Sequence, residues 1–102
     1  SQDIDEWIHM VLMNSQQLLT LYEIANLLNI SSKTLQRNLN KKNIDFRSIR
    51  KNVILNKAKY QLKNTQKNIT EIAHELGYSS SSNFSRSFKR STGVTPEQFR
   101  FK

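Results

Sequence analysis

Two arginines occupy matching places in two similar stretches of the sequence, Arg37 within LQRNL and Arg86 within FSRSF. In each stretch the arginine lies between two large apolar residues four positions apart, which is the spacing of one helical face. The arginine itself then falls on roughly the opposite, exposed side. A guanidinium there can form paired hydrogen bonds with guanine or with a phosphate. A single such arginine would more simply be a solvated surface residue, but equivalent placement in two copies favours contact with nucleic acid.

Polar and basic residues surround both arginines on these predicted faces. Gln36 can pair with adenine, although glutamine is equally a good helix former. The serines that precede Phe84 are short, so they can cap a helix or let backbone approach a partner closely. A further set of residues is predicted to contact phosphates: Ser32, Asn40, Lys41, Arg50, Lys51, Lys57, Ser85, Lys89 and Arg90.

The elements that hold these residues belong to a repeat. Five apolar residues of the first copy return 48 positions later: Leu21, Ile24, Ala25, Leu28 and Ile30 as Ile69, Ile72, Ala73, Leu76 and Tyr78. Beyond this point the offset becomes 49, because the second copy has one extra residue. Each copy is therefore predicted to be a short helix, a tight turn and a second helix, which is the helix-turn-helix arrangement.

Capping residues indicate where these helices begin and end. Two pairs have the capping-box spacing that starts a helix: Thr20 with Glu23, and Asn68 with Glu71. The first helix of each copy stops at a residue that tolerates a positive φ, Asn29 in one copy and Gly77 in the other. Ser79 or Ser80 is the predicted N-cap of the helix that carries Arg86, and Gly93 is its predicted stop.

Three further helices complete the framework. Apolar residues within 4–12 have helical spacing and can cover the first unit. A linking helix over 46–64 would be about 25 Å long over its apolar part. Thr95 as N-cap and Pro96 at the first helical position start a short last helix that docks Phe99. The predicted fold class is all-α, with about seven helices, no strand, and two helix-turn-helix subdomains joined by the linking helix.

Charge is distributed unevenly along the chain. Residues 1–32 contain four acids and no base, whereas residues 33–102 contain all sixteen bases and four acids. The first segment therefore has a net charge of −4 and the second a net charge of +12. A basic field of this strength attracts polyanions, first nucleic acid and then anionic membrane.

Nothing in the sequence favours catalysis, and we predict that the chain is not an enzyme. His9 and His74 are single histidines on different predicted helices, and the sequence has no cysteine, so neither a metal nor a cofactor is expected. The two glycines are isolated and cannot form a phosphate-cradling loop. No apolar run approaches the roughly 20 residues that span a bilayer.

The second copy closely resembles the DNA-binding domain of the AraC/XylS family of bacterial transcription regulators. The segment NITEIAHELGYSSSSNFSRSFKRSTGVTPEQFR (68–100) is similar to the family signature almost position by position. The first copy, TLYEIANLLNISSKTLQRNLNKK (20–42), matches it more loosely. The resemblance implies two recognition helices that enter successive major grooves on one face of DNA.

The resemblance also implies which residues read bases: Lys33, Gln36, Arg37, Ser81, Ser82 and Arg86. The chain departs from the family pattern at two places. Ile54 stands where the linking helix of family members often has an arginine, and Asn29 replaces the turn glycine of the first copy. The serines at 81 and 82 are short, so the second unit is expected to read few bases and mainly to hold the DNA backbone.

The implied function is sequence-specific binding of double-stranded promoter DNA, with activation of transcription through RNA polymerase in the bacterial cytoplasm, at the nucleoid. The expected subdomains are 1–45, with its motif at about 20–41, and 65–102, with its motif at about 68–91. The chain is expected to be the DNA-binding half of a longer regulator and to be monomeric alone. Dimerisation and effector binding are left to an N-terminal domain of the full-length protein.

Two other functions stay open at this point. The chain could be a basic helical module that binds nucleic acid without sequence preference, although no aromatic platform for single strands is seen. It could instead bind an anionic surface such as a membrane, which requires an apolar face left exposed. Against this second alternative, every apolar stripe has a partner stripe to bury against.

Overall fold

The chain folds as seven helices in the computed structural model, which describes residues 4–102. The helices are α1 (Ile4–Asn14), α2 (Leu21–Leu27), α3 (Ser32–Lys41), α4 (Phe46–Asn64), α5 (Ile69–Glu75), α6 (Ser81–Thr92) and α7 (Pro96–Arg100). Within these residues no strand is present. The predicted all-α class, the helix count and the linking helix α4 are confirmed. The first three residues of the predicted 1–45 subdomain lie outside the described part.

The helices form two compact units, and the division between them lies inside α4. The first unit ends at Val53 and the second begins at Ile54. Each unit therefore contains one helix-turn-helix, α2–α3 in the first and α5–α6 in the second, together with part of α4.

Reciprocal hydrogen bonds start the first helix of each motif. Thr20 Oγ1 accepts from the backbone N–H of Glu23 at 3.1 Å, and Glu23 Oε1 accepts from the backbone N–H of Thr20 at 2.8 Å. Asn68 and Glu71 make the same pair of bonds, at 2.8 and 3.1 Å. Both predicted capping boxes are therefore present, and each satisfies backbone donors that a helix leaves unpaired at its start.

Each unit has its own apolar core. The buried residues of the first core are Ile8, Leu12, Ile24, Ala25, Leu35, Leu39 and Val53. Those of the second core are Ala58, Leu62, Ile72, Ala73, Leu76, Phe84 and Phe88. No polar or charged residue in the described part of the chain is buried. The repeated positions of the sequence thus supply the matching parts of two cores.

The tight turns of the two motifs share one geometry and differ by one residue. Asn29 has a φ of 62° and Gly77 a φ of 90°, a region that glycine enters freely because it lacks a Cβ and that asparagine tolerates better than most residues. The next residue donates its backbone N–H back into the preceding helix, to Ala25 O in the first copy and to Ala73 O in the second. In the first copy the N-cap Ser31 follows at once, whereas in the second copy Ser79 precedes the N-cap Ser80. The extra residue of the repeat lies here.

The end of the second unit is held by aromatic and cationic side chains. Phe88 and Phe99 meet edge to face with ring centroids 5.5 Å apart, so the predicted docking of Phe99 is confirmed. Arg100 Nε donates to the carbonyl of Leu62 at 2.9 Å, and its terminal nitrogen donates to the carbonyl of Thr65 at 3.3 Å. The carbonyl of Leu62 lies in the last turn of α4 and that of Thr65 just after the helix ends, where no helical N–H remains to pair with either. Arg100 therefore caps α4.

Candidate nucleic-acid interface

Helix α3 presents a polar face opposite its buried leucines. Its N-cap Ser31 accepts a hydrogen bond from the backbone N–H of Thr34 at 3.0 Å. Leu35 and Leu39 are completely buried in the first core, which fixes the rotation of the helix. Lys33 and Arg37 are consequently exposed on the other side, as the spacing predicted.

A shallow open groove runs along this face of α3. It is lined by Leu21 of α2 together with five residues that were predicted to contact DNA: Ser32, Lys33, Gln36, Arg37 and Asn40. Gln36 Nε2 donates to Asn40 Oδ1 at 3.0 Å, which holds the two amides side by side. The groove therefore offers two cations and a row of hydrogen-bonding groups above an apolar floor.

Helix α6 is oriented in the same way in the second unit. Phe84 and Phe88 are buried, with 1% and 2% of their surface exposed, while Arg86 and Lys89 are exposed. Ser80 caps the helix by accepting from the backbone N–H of Asn83 at 3.1 Å, so the second of the two predicted N-caps is correct. Gly93 ends the helix in the left-handed conformation, with a φ of 87°. The predicted buried and exposed sides of α6 are confirmed.

A second groove occupies the equivalent place on α6. It is lined by Ile69, Thr70, Ser81, Ser82, Ser85 and Glu97. Ile69 corresponds to Leu21 of the first groove, and the three serines correspond to Ser32, Lys33 and Gln36. The second groove differs in charge, because it has no lysine and gains the carboxylate of Glu97. A carboxylate repels phosphate and accepts hydrogen bonds, for example from the amino group of cytosine.

Arg86 is hydrogen-bonded on the surface of α6. Its terminal Nη2 donates to Oδ1 of Asn83, one turn earlier in the helix. The other end of the same amide, Nδ2 of Asn83, donates to Ser79 Oγ at 2.6 Å. No side chain within residues 4–102 accepts a hydrogen bond from Arg37, the matching arginine of the first unit. The two arginines thus share a position in the repeat but not a local environment.

Basic residues that were predicted to contact phosphates differ in exposure. Lys51 of α4 is exposed, whereas Arg50 and Lys57 are partly buried. Desolvation lowers the pKa of Lys57 from its ordinary value of 10.5, because partial burial penalises the charged ammonium. A phosphate beside Lys57 would offset this cost. The remaining predicted contacts of this class, Lys41, Lys89 and Arg90, are exposed.

Several residues of these surfaces were not predicted as contacts. Leu21 and Ile69 were recognised only as repeated apolar residues, yet each also lines a groove. Thr70, Asn83 and Glu97 were not singled out. For Glu97 the sequence carries no signal, because its proximity to the serines depends on how α7 packs against α6.

Some apolar side chains of α1 and α2 are exposed. Tyr22 and Leu27 of α2 are 64% and 60% exposed, and Met10 of α1 is 52% exposed. These three residues lie outside the predicted apolar stripes of α1 and α2. The stripes themselves are buried in the first core or packed against it, as predicted: Ile4, Trp7, Ile8, Val11 and Leu12 of α1, and Leu21, Ile24 and Ala25 of α2 with Leu28 at its C-cap. None of the described helices is long and apolar enough to cross a membrane. The described histidines and acids form no cluster that could hold a metal ion.

Comparison with known proteins places these motifs in context. A family profile described as "Helix-turn-helix domain" matches residues 24–102. The transcriptional activator CfaD from Escherichia coli is 36% identical over 80 residues, which are 78% of this chain and 30% of that protein. The chain spans about a third of the length of the curated relatives it matches.

Solved structures share the fold over almost the whole chain. The C-terminal domain of the response regulator AraT from Geobacillus stearothermophilus is 31% identical, with a TM-score of 0.74 over 97% of this chain and 84% of that chain. A DNA-binding transcriptional dual regulator from Escherichia coli K-12 gives a TM-score of 0.85 at 22% identity, covering 98% of this chain and 91% of that chain.

Proposed function

The chain belongs to the AraC/XylS family of helix-turn-helix domains, and from this premise we propose that it binds double-stranded promoter DNA through α3 and α6. Each of these recognition helices would enter a major groove, and the two grooves would be successive on one face of the duplex. Its family and fold are those of DNA-binding transcription regulators.

The observation that carries this proposal is the pair of equivalent grooves. Both units bury the same repeat positions and present the same outward positions of their second helix, although the side chains there differ. In the first unit these positions offer Lys33, Gln36 and Arg37, which suit guanine, adenine and phosphate. In the second unit the equivalent positions hold Ser82, Ser85 and Arg86, and Ser81 precedes them as a further predicted base contact. Two different sets of groups on two similar frames would read two different half-sites.

Phosphate contacts would fix the position of each helix on the duplex. The candidates are Ser32, Asn40, Lys41, Arg50, Lys51, Lys57, Ser85, Lys89 and Arg90. Because the described chain carries sixteen bases among residues 33–102, such contacts would also give rapid, salt-dependent association.

In the cell the domain would regulate transcription, and activation is the outcome that the names of its relatives favour. We expect it to work with RNA polymerase in the bacterial cytoplasm, as one part of a longer regulator that also has an effector-binding or dimerisation domain. Its subdomains would be 1–45 and 65–102, with α4 between them, and the isolated domain would be monomeric.

Selection of bound duplexes from a random pool tests sequence-specific binding. We expect enrichment of one asymmetric site of about 17–20 bp, with half-sites about 10 bp apart from centre to centre. Inserting about five base pairs between the half-sites turns one of them to the far face of the duplex and should abolish binding by both units. A pool that shows no enrichment but binds uniformly would favour the nonspecific nucleic-acid module instead. Equal affinity after the insertion would contradict the two-groove arrangement.

A further inference from the structure

We propose that Asn83 is a positioning residue, which holds the guanidinium of Arg86 ready on the outward face of α6 and is itself anchored by Ser79. This inference rests on the proposed function for its effect on DNA. The arrangement itself is a property of the free domain.

The amide of Asn83 is engaged at both ends. Its Nδ2 donates to Ser79 Oγ at 2.6 Å, and its Oδ1 accepts from Arg86 Nη2. Arginine only donates hydrogen bonds, so the oxygen end of the amide must face Arg86, and the nitrogen end is then left to donate to the hydroxyl of Ser79, which can accept. The backbone N–H of Asn83 donates separately to the N-cap Ser80 at 3.1 Å. The side chain of Asn83 is therefore not needed for capping and is free to orient Arg86.

The relay of hydrogen bonds from Ser79 through Asn83 to Arg86 has no counterpart on α3 of the first unit. Thr34 stands at the place of Asn83, and its hydroxyl accepts from Ser31 Oγ at 3.0 Å rather than reaching toward Arg37. Threonine has no amide to bridge two partners, and the residue that corresponds to Ser79 is missing from the shorter turn. Arg37 is therefore held by no side chain among the described residues.

If Arg86 is already oriented in the free domain, binding to DNA has to restrict less of its side-chain freedom. A long side chain that is immobilised at an interface loses rotamer freedom, which weakens association. A guanidinium already oriented at the DNA-facing surface loses less rotamer freedom, and its planar N–H groups can then donate only to a matching pair of acceptors. The second unit would thus discriminate sharply at the base pair that Arg86 reads. The sequence alone favoured the opposite expectation, that this unit mainly holds the DNA backbone.

The mobility of the arginine side chains in the free domain tests the positioning role without DNA. We expect nitrogen relaxation of the Nε–H groups to show Arg86 more ordered than Arg37. Asn83→Ala should raise the mobility of Arg86 alone, and Ser79→Ala should do so to a smaller extent. Thr34→Ala is the matched control and should leave Arg37 unchanged. Equal mobility of Arg86 before and after Asn83→Ala would overturn the proposal.

A double-mutant cycle on the selected DNA site tests the consequence. Asn83→Ala should weaken binding about three- to ten-fold. It should also reduce base preference at the same base pair where Arg86→Ala reduces it. In the Arg86→Ala background the same substitution should have no further effect. Because alanine has a higher helix propensity than asparagine, the melting temperature should not fall.

The outcomes of this cycle are distinguishable. An undiminished loss in the Arg86→Ala background would show that Asn83 touches DNA directly, and it would overturn the positioning role. Unchanged binding by Arg86→Ala alone would instead overturn the contact proposed between Arg86 and DNA. The nitrogen relaxation of Arg86 in the free domain would then be the measurement that decides whether Asn83 positions this arginine.

Discussion

On α6, Arg86 is exposed and Phe88, two residues further on, is almost completely buried. If Arg86 contacts a base, Arg86→Ala should cost about 1–3 kcal/mol of binding free energy on the preferred site. It should also weaken the sequence preference at one or two base pairs. Phe88→Ala should remove about 3–5 kcal/mol of stability, because it empties space beside Phe84 and Phe99. Thermal melts and binding titrations of both variants separate these effects.

Each of the two variants is the control for the other, because both stability and DNA binding are measured for each. Arg86→Ala should melt like the unaltered domain, and Phe88→Ala should lose binding only to the extent that the second unit unfolds. A lower melting temperature for Arg86→Ala would show that this side chain supports the fold instead of the interface.

Lys57 gives a prediction that depends on pH. Desolvation lowers its pKa below 10.5 in the folded domain, so between the folded and unfolded pKa values the unfolded chain binds more protons. Stability should therefore rise with pH across this window. A DNA phosphate would favour the charged ammonium, so affinity should fall as pH rises through the lowered pKa of Lys57.

Lys57→Arg separates this effect from that of other lysines, because arginine stays charged throughout the window. Binding titrations over a series of alkaline pH values should show a flatter affinity profile for Lys57→Arg than for the unaltered domain. Lys67→Arg, at a surface site that is not a predicted DNA contact, should leave the profile unchanged. The same pH dependence in all three proteins would argue against a phosphate contact at Lys57.

At the scale of elements, the end of α4 depends on a distant residue. Arg100 donates to carbonyls at the C-terminal end of that helix, and hydrogen bonds from a charged donor are worth about 1.5–3 kcal/mol each. Since Arg100 is partly exposed, we expect Arg100→Ala to destabilise the second unit by about 1–3 kcal/mol in urea or thermal unfolding. Arg90→Ala removes an exposed arginine of α6 and should change stability little. Equal stability of both variants would show that water caps α4 adequately.

Sequence patterns predicted most of the elements because their signals are local. Capping boxes span four residues and helical faces about two turns, so Thr20, Asn68 and the buried faces of α3 and α6 could be identified directly. The cap that Arg100 places on α4 joins residues 38 positions apart, and no local pattern encodes it. The same holds for Glu97 beside the serines of α6. The Asn83–Arg86 bond is local, but it depends on side-chain rotamers that spacing does not determine.

At the scale of the whole molecule, the basic surface predicts how salt affects binding. Each phosphate neutralised by a lysine or arginine contributes about −0.9 to the slope of log K against log salt concentration. Lys41→Ala should make this slope shallower by about one and weaken all DNA sequences alike. Lys67 pairs with Glu75 at 2.9 Å on the surface and is not a predicted contact, so Lys67→Ala should leave the slope unchanged. A loss confined to one base pair would place Lys41 among the base-reading residues.

The extra residue in the second turn has a consequence for how the two recognition surfaces can differ. Buried positions must keep packing, so the two cores restrict change at the repeated positions. Ser79 lies outside the second core, in an exposed turn, and the backbone bond from Tyr78 to Ala73 has its counterpart in the shorter turn, from Ile30 to Ala25. The hydroxyl of Ser79 is thus added as a partner for Asn83 without altering that bond. A difference of one residue in turn length gives the second unit a surface contact for which the shorter turn of the first unit has no residue.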